Sequence, residues 1–277
     1  MTEKQPYKVF GQPEFESSTL VVGWSEDAAK LGSKVTDYLN RELGGQEFAE
    51  IEPDDFFPLG GVSVENDIAQ FPEGKFYHCP GKDLVLFRSH PPRSDWYRFL
   101  NSVLDVAEYY CHVKEIYTVG GMVYLGTHTF PRELMALSNS PEMTAVLSQY
   151  DLAREIDYES PPGQRPTLNS FLLWAAQRRQ LAAASLWVPI PFYLVGAEDP
   201  QAWGKVLEFL DERLDLGIDL DAIDEEAARQ DKRITILRYN SPEIDSYINK
   251  LESGQGLTQD ESESLVKAVE EFLRRQY

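Results

Sequence analysis

Two short runs of unbroken apolar residues, 19–24 (TLVVGW) and 184–188 (ASLWV), constrain this chain more than any other feature. A strand without alternation between apolar and polar positions is covered on both faces, as in a parallel sheet sandwiched between helices. The first run leads into a segment where Ala28, Leu31, Val35, Tyr38 and Leu39 recur at helical spacing, stopped by Gly44-Gly45. Ser25 stands where a helix cap belongs, and Glu26 and Asp27 set negative charge on the helix's positive end. After the second run, Asp199-Pro200 is a start signal, since Asp caps and Pro is tolerated at the first helical position. The helix it opens turns Trp203, Val206, Leu207, Leu210 and Leu214 to one side.

Between these units lie a strand at 46–51, the acidic-aromatic stretch Asp54-Asp55-Phe56-Phe57, and two β-prone runs within 75–89 flanking the turn Pro80-Gly-Lys-Asp83. A helix from Ser94 carries Trp96, Phe99, Leu100, Val103, Leu104 and Ala107 on one stripe. A strand at 115–119 runs into Gly120-Gly121, and a helix covers 167–181. Strands alternating with helices predict a three-layer α/β/α sandwich with a mostly parallel sheet. After Leu216 strands disappear, so we divide the chain into a sandwich domain, 1–218, and a C-terminal helical segment, 219–277. Ser241-Pro242 opens one helix there, and Thr258-x-x-Glu261 is a capping box for the last. That last helix has an apolar stripe of Leu265, Val269, Phe272 and Leu273, expected to dock on another subunit or a client.

Twenty-six basic residues against 46 acidic ones give a net charge of −20, which argues against nucleic acid or an anionic membrane as partner. At 42% apolar and 12% aromatic, the chain has enough to fill a sizeable core. Cys79 and Cys111 are too few for a disulfide framework and lack metal-ligand spacing. With neither a signal-peptide pattern at the start nor an apolar run approaching the roughly 20 residues of a membrane span, a cytoplasmic protein is expected.

No complete catalytic constellation is assembled, so no catalytic residue is assigned. In Gly23-Trp24-Ser25-Glu26-Asp27 a serine sits at a strand-to-helix turn, but a nucleophile elbow needs glycine where Asp27 stands. Gly120-Gly121 follows a strand, where ligands of open α/β sheets bind, yet it also reads as a tight turn with positive φ. His78, His90, His112 and His128 are the only histidines, and no pair has zinc-site spacing. His128, with Thr129, lies just past the glycine pair. The acidic run from Asp215 to Glu226 lacks the order of a calcium loop and reads as a solvated helix start. Trp187 and Tyr193 flank Pro189-Ile-Pro191, whose prolines are expected to end the strand at the sheet's rim. The ligand-pocket candidates are therefore Trp24, Ser25, Gly120, Gly121, His128, Thr129, Trp187 and Tyr193, with no metal and no cofactor.

The ordered set Gly23-Trp24, Glu52-Pro-Asp-Asp-Phe56, Trp96, Gly120-Gly121, His128-Thr-x-Pro131, Ala184-Ser-Leu-Trp187, Pro189-x-Pro191-x-Tyr193-Leu194, Asp199-Pro200 and Ile218-Asp-Leu220 resembles the proteasome assembly chaperone family of the second-subunit type, in its bacterial and archaeal form. The resemblance implies a phosphorylase/hydrolase-like α/β/α fold without established catalytic machinery, and homo-oligomers, a trimer by family habit. Two departures stand out. Where the family usually has Tyr-x-Gly-Pro, this chain reads Tyr158-Glu-Ser160-Pro161 followed by Pro162-Gly163. The C-terminus, Arg275-Gln276-Tyr277, has tyrosine last and not penultimate, unlike the hydrophobic-Tyr-any ending that docks activators into α-rings. Two functions are weighed: a non-enzymatic protein-binding or assembly factor, and a small-molecule hydrolase or phosphorylase-like enzyme with a cleft at the strand ends.

Overall fold

The computed structural model describes residues 5–57, 63–65, 67–153, 163 and 166–274. The first half contains β1 (Tyr7–Val9), β2 (Ser18–Trp24), α1 (Leu31–Glu42), β3 (Gln46–Ile51), β4 (Ser63–Glu65), β5 (Ile68–Gln70), β6 (Gly74–Cys79), β7 (Leu84–Ser89), α2 (Trp96–Cys111) and β8 (Val113–Tyr124). It is followed by β9 (Met135–Ser138), α3 (Pro141–Leu147), α4 (Leu168–Arg178), β10 (Ala182–Pro191), α5 (Pro200–Leu214), α6 (Asp221–Asn240), α7 (Pro242–Glu252) and α8 (Gln259–Arg274).

Eight strands form one sheet in the order β1-β3-β6-β7-β2-β8-β10-β9, with helices on both sides. This is the α/β sandwich expected. The sheet is mixed: β7-β2-β8 pair in parallel, whereas β1-β3-β6-β7 pair antiparallel. The hairpin through Pro80-Gly-Lys-Asp83 is the reason, because a tight turn can join only antiparallel strands. Parallel pairing is central, and there β2 is the unbroken apolar run that both faces require.

The contacts divide the chain into two compact units. One is Met1–Glu26, Gly32–Gly120 and Met135–Leu186, and the other Asp27–Leu31, Gly121–Leu134 and Trp187–Tyr277. This differs from the boundary drawn after residue 218, since α5 and the carboxyl ends of β8 and β10 are grouped with the C-terminal helices.

The core of the first unit is aromatic: Trp24 meets Phe87 edge-on at 6.0 Å, and Phe99 of α2 meets Phe56 at 5.1 Å. The α2 stripe read from the sequence is buried there, apart from the partly buried Trp96. Its cap is Asp95, one residue later than expected, whose carboxylate accepts from the Arg98 N–H. Gly23 lets β2 touch α1, because a side chain at this position would run into the Gly32 carbonyl.

In the second unit Trp203, Val206, Leu207 and Leu210 of α5 are buried as expected, Leu214 is only half-buried, and the Asp199 cap accepts from the Ala202 N–H at 3.3 Å. The capping box of α8 forms in both directions, Glu261 N–H to Thr258 Oγ1 at 3.3 Å and Thr258 N–H to Glu261 Oε2 at 2.9 Å. The α8 stripe, expected to meet another molecule, lies against its own unit. Leu265 and Val269 are fully buried, and α8 packs on the 3-10 turn Phe192–Leu194 and on α6 and α7. Phe272 and Leu273 are half-buried, and their carbonyls accept from Arg233 Nη2 at 2.7 and 3.0 Å, a cation at the helix's negative end.

Candidate functional site

The candidates in the first unit are framework. Trp24 ends β2 buried, and its indole N–H donates to Asn169 Oδ1 at 2.5 Å while Asn169 Nδ2 donates to the Val119 carbonyl at 3.3 Å. Ser25 does not cap a helix. Its N–H donates to the Ser89 carbonyl at 3.0 Å, α1 starts only at Leu31, and its buried hydroxyl has no hydrogen-bond partner among the described residues. Gly120 is a buried residue inside β8.

In the second unit the glycine pair proves to be strand and not turn. β8 runs through Gly121 to Tyr124, and Gly121 is absent from the residues with positive φ. The position requires glycine for another reason: a Cβ there would stand 2.7 Å from the Ala28 carbonyl and 2.9 Å from Ile190 Cγ1. Gly121 N–H donates to Asp27 Oδ2 at 3.4 Å. The 3-10 turn Ala28–Lys30 that follows Asp27 holds Ala29 and Lys30 at φ 56° and 54°, left-handed values that cost non-glycine residues energy. Likewise β10 continues through Pro189 to Pro191, three residues beyond the expected stop at Val188.

Tyr193 organises the segment after β8. His128 is buried; its backbone N–H donates to Tyr193 Oη at 2.6 Å, and its Nδ1 lies 2.8 Å from the same oxygen. With Oη accepting from the backbone, the phenol proton is directed at Nδ1, which fixes the imidazole as an acceptor there. Next to it, Thr129 Oγ1 donates to Glu252 Oε1 at 3.2 Å, and Arg238 grips the same carboxylate through Nη1 at 2.8 Å. Arg132 donates from Nε to Asp199 Oδ2 at 2.9 Å and from Nη1 to the Phe130 carbonyl at 2.8 Å. Trp187 is half-buried with its indole N–H unbonded among the described residues.

Burial drives the His128 imidazole down to about 4, with Arg238 and Arg132 pushing the same way and Glu252 opposing. Burial also raises the Tyr193 phenol. Near neutrality both shifts favour the uncharged forms, so the bond joins a neutral imidazole to a neutral phenol. Burial raises the Asp199 carboxyl, against the pull of Arg132 and of the Ala202 and Gln201 N–H groups.

A histidine with a depressed pKa stabilises the fold while it is neutral. The contribution is complete above about 6.5 and drains away as pH falls toward about 4. Urea unfolding should therefore show the wild type losing about 2 to 3 kcal/mol more than His128→Asn between neutral pH and the lower end of that window. Equal losses in the two proteins would show that His128 is not held neutral by burial.

Sequence reasoning missed a run of exposed apolar residues in this unit. Met122, Val123, Tyr124 and Leu125 are all exposed, Leu125 to 81%, and Phe130 nearby is exposed to 45%. They lie at the tip of β8, beyond the last pair of its register with β2, Gly23↔Val119. The available signal was charge: residues 116–131 contain no Asp, Glu, Lys or Arg, although the chain's net charge is −20. A separate cavity of about 590 Å³ is lined by Lys30, Glu198, Arg229, Arg233, Glu270 and Arg274 among others, and by none of the eight candidates. Among the described residues no group of three or more His, Cys, Asp or Glu is placed to hold a metal, and no helix is long and apolar enough to cross a membrane.

Residues 20–238 match the sequence profile of the PAC2 family. The chain belongs to the PAC2 family. The resemblance read from its motifs is thereby upheld. No curated protein sequence matches it significantly. Among solved structures, it is similar to a Corynebacterium glutamicum protein of unknown function at 19% identity and TM-score 0.76, covering 91% of this PAC2 chain and 97% of that one. It is similar to the proteasome-assembly chaperone homologue of Mycobacterium tuberculosis at 20% identity and TM-score 0.66, covering 78% and 94%. It is also similar to PbaB of Pyrococcus furiosus, an archaeal proteasome activator, at 19% identity and TM-score 0.67, covering 84% and 98%. At these identities the likeness establishes the fold. The two departures from the family, at 158–162 and 275–277, lie outside the described residues, where only Gly163 of the first loop is placed.

Proposed function

We propose that this PAC2-family protein is a non-enzymatic assembly factor that holds a protein client on the apolar tip of β8. The observation that carries this reading is the exposed, uncharged stretch Met122, Val123, Tyr124 and Leu125 with Phe130, on a chain otherwise dense in acidic groups. The exposed apolar side chains at this end of β8 suit contact with an apolar segment of another protein. In the segment that follows it, His128, Thr129 and Arg132 are held by hydrogen bonds to Tyr193, Glu252 and Asp199. Because similar structures include a proteasome activator and a proteasome-assembly chaperone homologue, proteasome α-subunits of the same organism are the first clients to test. Cys79 and Cys111 are both buried free thiols, which fits a reducing cytoplasm.

Light scattering on the purified protein with and without those subunits tests the reading, and also measures self-association, for which a trimer is the expectation. Leu125→Asp with Val123→Asp is expected to weaken client binding at least about tenfold, as loss of a central apolar contact does. Turnover of a small molecule that disappears in Ser25→Ala or His128→Ala would replace this reading with the hydrolase or phosphorylase-like alternative.

A further inference from the structure

A second surface, in the first unit, has a different chemistry. A groove of about 620 Å³ is lined by Glu14, Phe15, Glu16, Tyr109, Tyr110 and His112, together with Gln12 and Pro13. The carboxylates, the helix end and the aromatic rings that converge there all favour a cation. Glu14 and Glu16 are exposed, and neither makes an ion pair among the described residues. Tyr109 and Tyr110 belong to the last turn of α2, which contains no basic residue to answer the negative pole of the helix. Three aromatic rings, Phe15, Tyr109 and Tyr110, line it, and aromatic π faces attract guanidinium and ammonium groups. Tyr110 is fixed edge-on against Tyr7 at 6.2 Å, while Tyr109 is exposed to 71%.

We propose that this groove binds the arginine or lysine side chains of a basic peptide segment on a protein partner. Its size exceeds that of a single ion, and no described residues there form a metal cluster, so the ligand is an organic cation. A net charge of −20 steers basic segments toward the protein, and the aromatic groove supplies the place where one is held. Arginine is the better fit, because its planar guanidinium stacks on tyrosine while donating to a carboxylate.

The test is fluorescence anisotropy with labelled hexa-arginine and hexa-lysine at near-physiological salt and about pH 8. Glu14→Gln with Glu16→Gln is expected to weaken hexa-arginine about tenfold, and Tyr109→Ala about threefold or more, the scale of lost charge-assisted and cation–π contacts. Glu212→Gln with Glu225→Gln carries the same change of net charge on exposed positions elsewhere and is expected to change affinity less than about twofold. Equal losses in groove and control variants would reduce the effect to bulk electrostatics and overturn the proposal. So would the absence of peptide binding, or binding of tetramethylammonium as tight as that of hexa-arginine. Unchanged circular dichroism of the variants separates these outcomes from misfolding. The groove stands independently of the β8 tip, since Leu125→Asp should leave hexa-arginine binding intact.

Discussion

Asp199→Ala is expected to lower the free energy of unfolding by about 3 to 5 kcal/mol. Asp199 and Arg132 have side chains exposed to 0% and 3% and are joined at 2.9 Å. Truncating the carboxylate leaves a guanidinium buried without its counter-charge, the condition that makes breaking a buried pair far costlier than the pair's own net worth. The same carboxylate caps α5 through the Ala202 N–H, so the loss includes about 1 kcal/mol for the cap. Asp199→Asn keeps an acceptor at the cap and should fall between the two. Urea denaturation at neutral pH, read by tryptophan fluorescence, measures all three proteins. A loss below about 1 kcal/mol in Asp199→Ala would mean that water reaches Arg132 and that the pair is not a buried strut.

Leu265→Ala is expected to cost about 2 to 5 kcal/mol, and its effect should appear in the monomer. Leu265 and Val269 are fully buried within the second unit, so removing three carbons leaves a cavity there and not at a contact with another molecule. If the α8 stripe faced a partner, the same substitution would lower the oligomer mass in light scattering and leave the denaturation curve of the monomer nearly unchanged. The two measurements together decide between these cases. Phe272 and Leu273, half-buried at the end of the helix, are the part of the stripe still available to a partner.

Local rules succeeded wherever one element determines its own form. The capping box at Thr258 and Glu261, the Asp199 cap, the α2 stripe and the unbroken β2 run are short-range patterns, and each is found as read. They failed where a distant residue changes what a nearby pattern means. Ser25 has the type and place of a cap, but the left-handed pair Ala29 and Lys30 delays α1 beyond its reach. Gly120-Gly121 has the composition of a turn, yet Ala28 and Ile190 crowd Gly121 inside a strand. The α8 stripe was read correctly as apolar and wrongly as free, because its cover, Phe192–Leu194, lies about 70 residues earlier in the chain.

Among the functional candidates, His128 and Tyr193 do come together, but as a buried strut. The exposed tip of β8 and the groove beside Tyr109 were not found from motifs, since exposure is a property of neighbours and not of residue type. Residue order alone determined the family, the layered α/β architecture and the positions of α2, α4, α5, α7 and α8, because periodicity, caps and apolar runs act over a few residues. Which apolar residues stay in water, which histidine loses its proton and which glycine admits a carbonyl were decided only by tertiary packing, where segments far apart in the chain set one another's solvent and space.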